Sequence, residues 1–132
     1  MIPLTHRLKK IRDFNLLMQY GRYAKSGELT IRYLALARLP AEVLPKRVVA
    51  SEFRQQLKCA FSVGLKVSKK AVERNRLRRR LREIIRLLLK QGQLRSGVYV
   101  LVIGHKALRE TDSRTLEQLV RTALAQARLI HG

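Results

Sequence analysis

Residues 67 to 89 read Val-Ser-Lys-Lys-Ala-Val-Glu-Arg-Asn-Arg-Leu-Arg-Arg-Arg-Leu-Arg-Glu-Ile-Ile-Arg-Leu-Leu-Leu, joining a helix start signal, a helical apolar period and the densest positive charge in the chain. Ser68 has the hydroxyl of an N-cap, which predicts a helix beginning near Lys69. At ~100° per residue, Leu77, Leu81, Ile84 and Leu88 share one stripe, while Asn75, Arg79, Arg82 and Arg86 repeat that spacing on the opposite side. The helix is glued to a core by one face and offers guanidinium groups on the other. An ordinary solvated face mixes signs, but here Lys69, Lys70, Arg74, Arg76, Arg78, Arg79, Arg80, Arg82, Arg86 and Lys90 stand against only Glu73 and Glu83. Same-sign pairs four residues apart cost a few tenths of a kcal/mol each in an isolated helix. Such self-repulsion points to an external polyanion.

Outward from this helix, Leu57 to Val67 alternates Leu57, Cys59, Phe61, Val63, Leu65 and Val67 with Lys58, Ala60, Ser62, Gly64 and Lys66, the period of a strand with one core face. The other face carries small or basic groups, which leaves room for something bulky and negative. Val98 to Ile103 is a continuous apolar run bounded by Gly97 and Gly104, as expected of a central strand buried on both faces. Strand, basic helix and strand form a βαβ unit, parallel if the strands are neighbours. Ser113 to Ile130, capped by Asp112 or Ser113, has apolar residues at helical spacing and covers the sheet. The apolar end of the basic helix, Ile84 to Leu89, predicts burial there by another element.

Toward the N-terminus, Leu29 to Arg38 reads as a strand, with Leu29, Ile31, Tyr33, Ala35 and Ala37 on one face. Residues 40 to 56 read as a surface loop, with a helical turn near Ser51 to Gln55. Asp13 to Tyr20 suits a short helix stopped by Gly21 in the left-handed conformation, and Met1 to Arg12 is a basic leader that starts irregular. The fold class is therefore α+β, an α-β-β-(β)-α-β-α sandwich in one domain spanning residues 1 to 132. A short extra strand after Gly21 completes a small central sheet packed by helices.

The 29 Lys and Arg against 9 Asp and Glu give a net charge of +20, a field suited to nucleic acid or an anionic membrane. With 46% apolar residues the chain is no disordered basic tail. No apolar run reaches the ~18 residues of a membrane span and no secretory signal is visible, so the expectation is a soluble cytoplasmic protein. Cys59 stands alone, His6, His105 and His131 are scattered, and Asp13 and Asp112 are the only aspartates. No metal site, nucleophile arrangement or paired carboxylate is legible, so neither catalytic nor metal-binding side chains are expected.

The run from Lys70 to Glu83, with Arg74-Asn75-Arg76 followed by basic pairs and Arg82-Glu83, resembles the signature of the bacterial ribonuclease P protein component. Arg7-Leu8, Asp13-Phe14 and Gly21, the strand entering the signature and the buried strand before the last helix agree in order. The resemblance implies an accessory protein subunit of an endoribonuclease whose catalysis resides in a partner RNA. That RNA removes the 5′ leader from precursor tRNA, with magnesium expected to accompany it and no cofactor bound by protein side chains alone. Carried over, Arg74, Asn75, Arg76, Arg78, Arg79 and Arg82, with Lys69 and Lys70, grip the catalytic RNA. Phe14, Met18 and Tyr33 line a cleft for the single-stranded leader beside Ser62 and Lys66. The expected partners are the catalytic RNA and precursor tRNA, with neither membrane nor DNA. The family's Val-Ser-Lys-Lys matches Val63-Gly64-Leu65-Lys66 by spacing or Ser68-Lys69-Lys70 by letters, and the 40 to 56 insertion is longer than usual.

The roles are chemically apt, since Arg forks match phosphate oxygens and Asn can read a base edge. Two other readings share the charge: a ribosomal or general RNA-binding protein without a cleavage role, and a membrane-surface protein. The second is opposed by an apolar helix stripe without aromatics and by flanking strands that offer that stripe a core.

Overall fold

The computed structural model describes residues 2 to 131. In chain order its main elements are α1 (Ile11–Tyr20), β1 (Arg22–Ser26), β2 (Leu29–Ala35), α2 (Ala50–Phe53), β3 (Leu57–Ser62), α3 (Ala71–Lys90), β4 (Val98–Ile103) and α4 (Ser113–Gln126). The sheet order is β1-β2-β4-β3; β1, β2 and β4 are antiparallel neighbours, and β3 pairs with β4 in parallel. The β3-α3-β4 unit is thus the expected βαβ, and β1 is the expected extra strand. Gly27, at φ +55°, closes the two-residue β1–β2 hairpin in a conformation that disfavours any other residue.

The apolar run in β4 is central because both its faces are covered. Val98, Val100 and Val102 join Leu77, Leu81, Ile85 and Leu88 of α3 and Leu116, Val120 and Leu124 of α4 in one core. Tyr99 and Leu101 point the other way, into a second core with Leu17 of α1, Leu34, Leu36, Leu39 and Phe53. The rings of Phe53 and Tyr99 meet edge to face at 6.1 Å. Residues 40 to 56 accordingly do more than loop over the surface: besides the expected helical turn they hold a second short turn at Ala41–Val43, and Phe53 fills the second core. The Arg54 guanidinium ties this segment down by donating to the Leu36 and Leu39 carbonyls.

Polar groups join α1 to the sheet. Arg32 of β2 donates from Nε to the Leu17 carbonyl at 3.2 Å, which also accepts the Gly21 amide, and from Nη2 to the Met18 carbonyl at 2.6 Å, adding a donor at the last turn of α1. At the other end of α1 the buried Asp13 lies beside Tyr99, whose hydroxyl donates to Gln56 Oε1 at 2.7 Å. Burial first, and then the Asp13 charge, hold that hydroxyl well above the ordinary tyrosine range.

Several boundaries differ from the sequence reading, each for a tertiary reason. The strand from Leu29 stops at Ala35, where a 3-10 turn, Leu36–Arg38, sends Leu36 into the second core. The strand from Leu57 stops at Ser62; the chain then turns, with the Val67 amide on the Gly64 carbonyl, so that Val63 and Val67 are both buried while Leu65 is 71% exposed. The last helix ends at Gln126, and Ile130 instead bridges to Leu94. The basic leader makes a 3-10 turn at Leu4–His6 and then covers the open edge of β3, with the Leu8 amide on the Cys59 carbonyl at 2.9 Å and an Arg7–Cys59 bridge. An unpaired strand edge is thereby protected.

Gly21 is extended, at φ −75° and ψ 166°, not left-handed. Its need for glycine is steric: an added Cβ would run into the Leu17 carbonyl oxygen and come within 3.0 Å of the Tyr33 carbonyl oxygen. Gly21→Ala is expected to lower stability by about 2 kcal/mol, as overpacking against backbone does. Urea denaturation of the two proteins checks it.

Candidate nucleic-acid interface

Helix α3 begins at Ala71, two residues after the expected start, because Lys70 and not Ser68 occupies the N-cap position. The Ser68 hydroxyl still organises the turn before the helix. It accepts from the Lys70 amide at 3.1 Å and donates to Glu73 Oε1 at 3.0 Å. Glu73 also meets Arg109 Nη1 at 3.3 Å, which joins the entry of α3 to the segment before α4.

The basic residues of α3 divide into two groups. Arg74 donates to the Ser68 and Lys69 carbonyls, Arg78 donates to the Val63 carbonyl and to Asn75 Oδ1, and Arg80 reaches the Arg109 and Thr111 carbonyls. These three tether loops. Arg86 is engaged by Glu83 at 2.6 Å, and that bond holds the Glu83 carboxyl below its usual range. Lys69, Lys70, Asn75, Arg76, Arg79 and Arg82 are exposed, and the side chains of Lys69, Lys70, Arg76 and Arg79 have no partner among the described residues. Both glutamates on the helix are already engaged with basic or hydroxyl groups, so the outward face presents nearly unopposed positive charge.

Arg82 joins this face to a groove. Its guanidinium lies 5.9 Å from the centre of the Phe61 ring, and both residues line a cleft of about 370 Å³ with Arg7, Lys9 and Phe14. Two aromatic rings and three cations thus share one concave site, the combination that holds single-stranded nucleic acid by stacking and phosphate contact. Phe14, half-buried, is the residue of the expected cleft that lines it. Met18 is 47% exposed one turn further along α1, Ser62 is exposed at the end of β3, and Lys66 is exposed in the turn beyond.

Tyr33 is not brought together with Phe14. It pairs with Val100 and packs toward the α3–α4 core, whereas Phe14 packs with the second core across the sheet. On the α1 side, the exposed aromatic of the β1–β2 hairpin is Tyr23, 63% exposed, with the Arg32 guanidinium 4.4 Å from its ring centre. Tyr23 and Arg32 are direct cross-strand partners and so share a face. Sequence reasoning missed Tyr23, Phe61, Arg7 and Lys9 as site residues. The basic leader was a signal for the last two; Phe61 alternated with the core residues, and nothing local indicated that β3 lies at an edge.

The cationic face and the aromatic groove supply binding chemistry. Burial pushes the Cys59 thiol up to about 12, so it is no nucleophile at neutral pH. Among the described residues no three His, Cys, Asp or Glu side chains converge as a metal site, and no helix is long and apolar enough to cross a membrane.

The sequence model of the family described as Ribonuclease P matches residues 2 to 128. The chain is 30% identical over 132 residues to the ribonuclease P protein component of Cyanothece sp., covering 100% of this chain and 99% of that one. It is 33% identical to that of Synechococcus elongatus, covering 99% and 97%. Its fold is similar to the RNase P protein of Staphylococcus aureus, with a TM-score of 0.70 at 16% identity over 96% of this chain and 98% of that one. The fold also matches that of Thermotoga maritima, at 0.68 and 23% identity over 96% and 99%.

The Ser68 hydroxyl ties the Lys70 amide and the Glu73 carboxylate together at the entry of α3, so Ser68→Ala is expected to cost about 1 kcal/mol. Thermal unfolding of the variant measures the loss, and unchanged stability would show that the hydroxyl does not organise the helix entry.

Proposed function

Because the chain belongs to the ribonuclease P protein family, we propose that it is the protein subunit of ribonuclease P, gripping the catalytic RNA with the outward face of α3 and the precursor tRNA leader with the Phe14–Phe61 groove. The observation that carries this reading is the continuity of the two surfaces through Arg82. Lys69, Lys70, Arg76, Arg79 and Arg82 supply unpaired cations for phosphates, and Asn75 keeps its amide N–H groups free while its Oδ1 accepts from Arg78. Arg74 and Arg78 act at one remove, by holding the loop between β3 and α3 against the helix.

The leader lies along the groove, its bases stacking on Phe14 and Phe61 and its phosphates meeting Arg7, Lys9 and Arg82. Met18, Ser62 and Lys66 extend the track beyond the cleft. Tyr33 has no part in it, and Tyr23 takes its place as the exposed aromatic on the α1 side. Magnesium belongs with the RNA in this reading. With no converging ligand set among the described residues, no step is assigned to a metal held by protein side chains. The protein works by neutralising phosphate repulsion and fixing the leader's path.

The experiment is cleavage of a precursor tRNA by a bacterial ribonuclease P RNA at low magnesium, with and without this protein, after the protein alone is shown free of nuclease activity. A protein-dependent gain at the mature 5′ end supports the reading; no gain with a well-folded cognate RNA leaves an RNA-binding protein without a cleavage role. Arg79→Ala is expected to weaken catalytic RNA binding and lower the slope of log affinity against log salt by about 1, because one fewer phosphate contact releases fewer counterions. Phe14→Ala is expected to spare that affinity and weaken binding of a leader-bearing precursor by about 1 to 3 kcal/mol, the worth of one stacked base. Equal losses with leaderless tRNA would make Phe14 a packing residue only.

A further inference from the structure

The geometry points to a second RNA site at the opposite end of the sheet, a cleft of about 630 Å³ that takes a phosphodiester strand with an unpaired base. This rests on the RNA-binding reading above and adds a surface to it. Arg22, Arg38, Arg95 and Arg128 line the cleft with Tyr20 and Tyr33, and no acidic residue lines it. The six come from the end of α1, the start of β1, β2, the turn after β2, the segment before β4 and the residues after α4. None comes from α3. Tyr33, which does not line the leader groove, thus has a basic setting of its own.

Three observations separate this cleft from an ordinary charged surface. None of its four guanidinium groups has a hydrogen-bond or ion-pair partner among the described residues, although Arg32, Arg54, Arg74, Arg78, Arg80 and Arg86 are all engaged. Nor does any of the four donate to a carbonyl at a helix end among the described residues, as Arg32 does to Leu17 and Met18 of α1. Finally, Arg128 is held at φ +60°, a left-handed conformation that glycine adopts more cheaply, so this backbone position carries an arginine at a cost in stability. Four unpaired like charges round one cavity repel one another until an anion enters.

The ligand chemistry follows from the lining. Arg forks match phosphate oxygens, and half-exposed tyrosines give flat surfaces for a base, without the hydrogen-bonding depth that sequence readout needs. A strand of either the catalytic RNA or the precursor tRNA would satisfy it. The test therefore has two arms: binding of the full-length protein to catalytic RNA alone, and binding of leader-bearing precursor tRNA to the assembled complex.

An Arg22→Gln, Arg38→Gln double variant is expected to weaken binding several-fold in one arm and to lower the salt slope there by about 2, one unit per lost phosphate contact. The arm affected identifies the strand. Arg128→Gly should melt at a higher temperature than the parent and yet bind less tightly in the same arm, an opposition that a purely structural arginine would not produce. Undiminished affinity and slope in both arms, with Arg79→Ala still lowering the slope for catalytic RNA, would overturn the second site and leave the α3 surface standing. A double variant melting far below the parent would make these arginines structural and overturn it too. Loss of any effect from Arg79→Ala as well would remove the RNA-binding reading itself.

Discussion

A helix carrying eight basic residues in twenty positions repels itself, and what holds α3 in shape is the burial of Leu77, Leu81, Ile84, Ile85 and Leu88 against β3, β4 and α4. Full burial of one such side chain contributes roughly 1.5 to 3 kcal/mol, whereas each like-charge pair costs a few tenths, so the apolar stripe outweighs the repulsion with room to spare. The charged face can then stay uncompensated. The two glutamates on the helix do not dilute it: Glu83 engages Arg86, and Glu73 is turned toward Ser68 and Arg109.

That division of labour extends to the arginines. Three of them, Arg74, Arg78 and Arg80, fasten loops through backbone carbonyls, so a signature that reads as a uniform block of charge is part scaffold and part contact surface. The fastening matters because the strand before α3 ends early at Ser62. The turn from Val63 to Lys70 would otherwise be held mainly by the buried Val63 and Val67. Across the sheet the same logic recurs. Arg32 anchors α1, Arg54 anchors the 36 to 53 segment, and the basic leader lies along β3, which gives the groove one wall and four of its lining residues, Ile2, Arg7, Leu8 and Lys9.

The two faces of the sheet serve different ends. The α3–α4 face is covered by two helices and the α1 face by one short helix and an irregular segment, and at the edge strand β3 Phe14 from the α1 side meets Phe61 and Arg82 from the α3 side beside the basic leader. The proposed leader path uses the groove left open at that edge.

The order of elements, the central place of Val98–Ile103, the basic helix with its apolar stripe and the family signature were all legible in the sequence, because each depends on local periodicity or on contiguous residues. The ends of β2, β3 and α4 were not, since each stops where a distant core claims the next apolar side chain: Leu36, Val63 and Leu129. Nor could sequence tell which arginines are free. A guanidinium six bonds from its backbone finds its carbonyl only when loops from other parts of the chain arrive. Tyr33 illustrates the same limit. Period 2 told which neighbours share its face, but which face meets α1 depends on how α1 docks, and Arg32 at the next position decides that by reaching the carbonyls of α1. Local chemistry determined what this protein carries; only the tertiary structure decided which of it faces outward together.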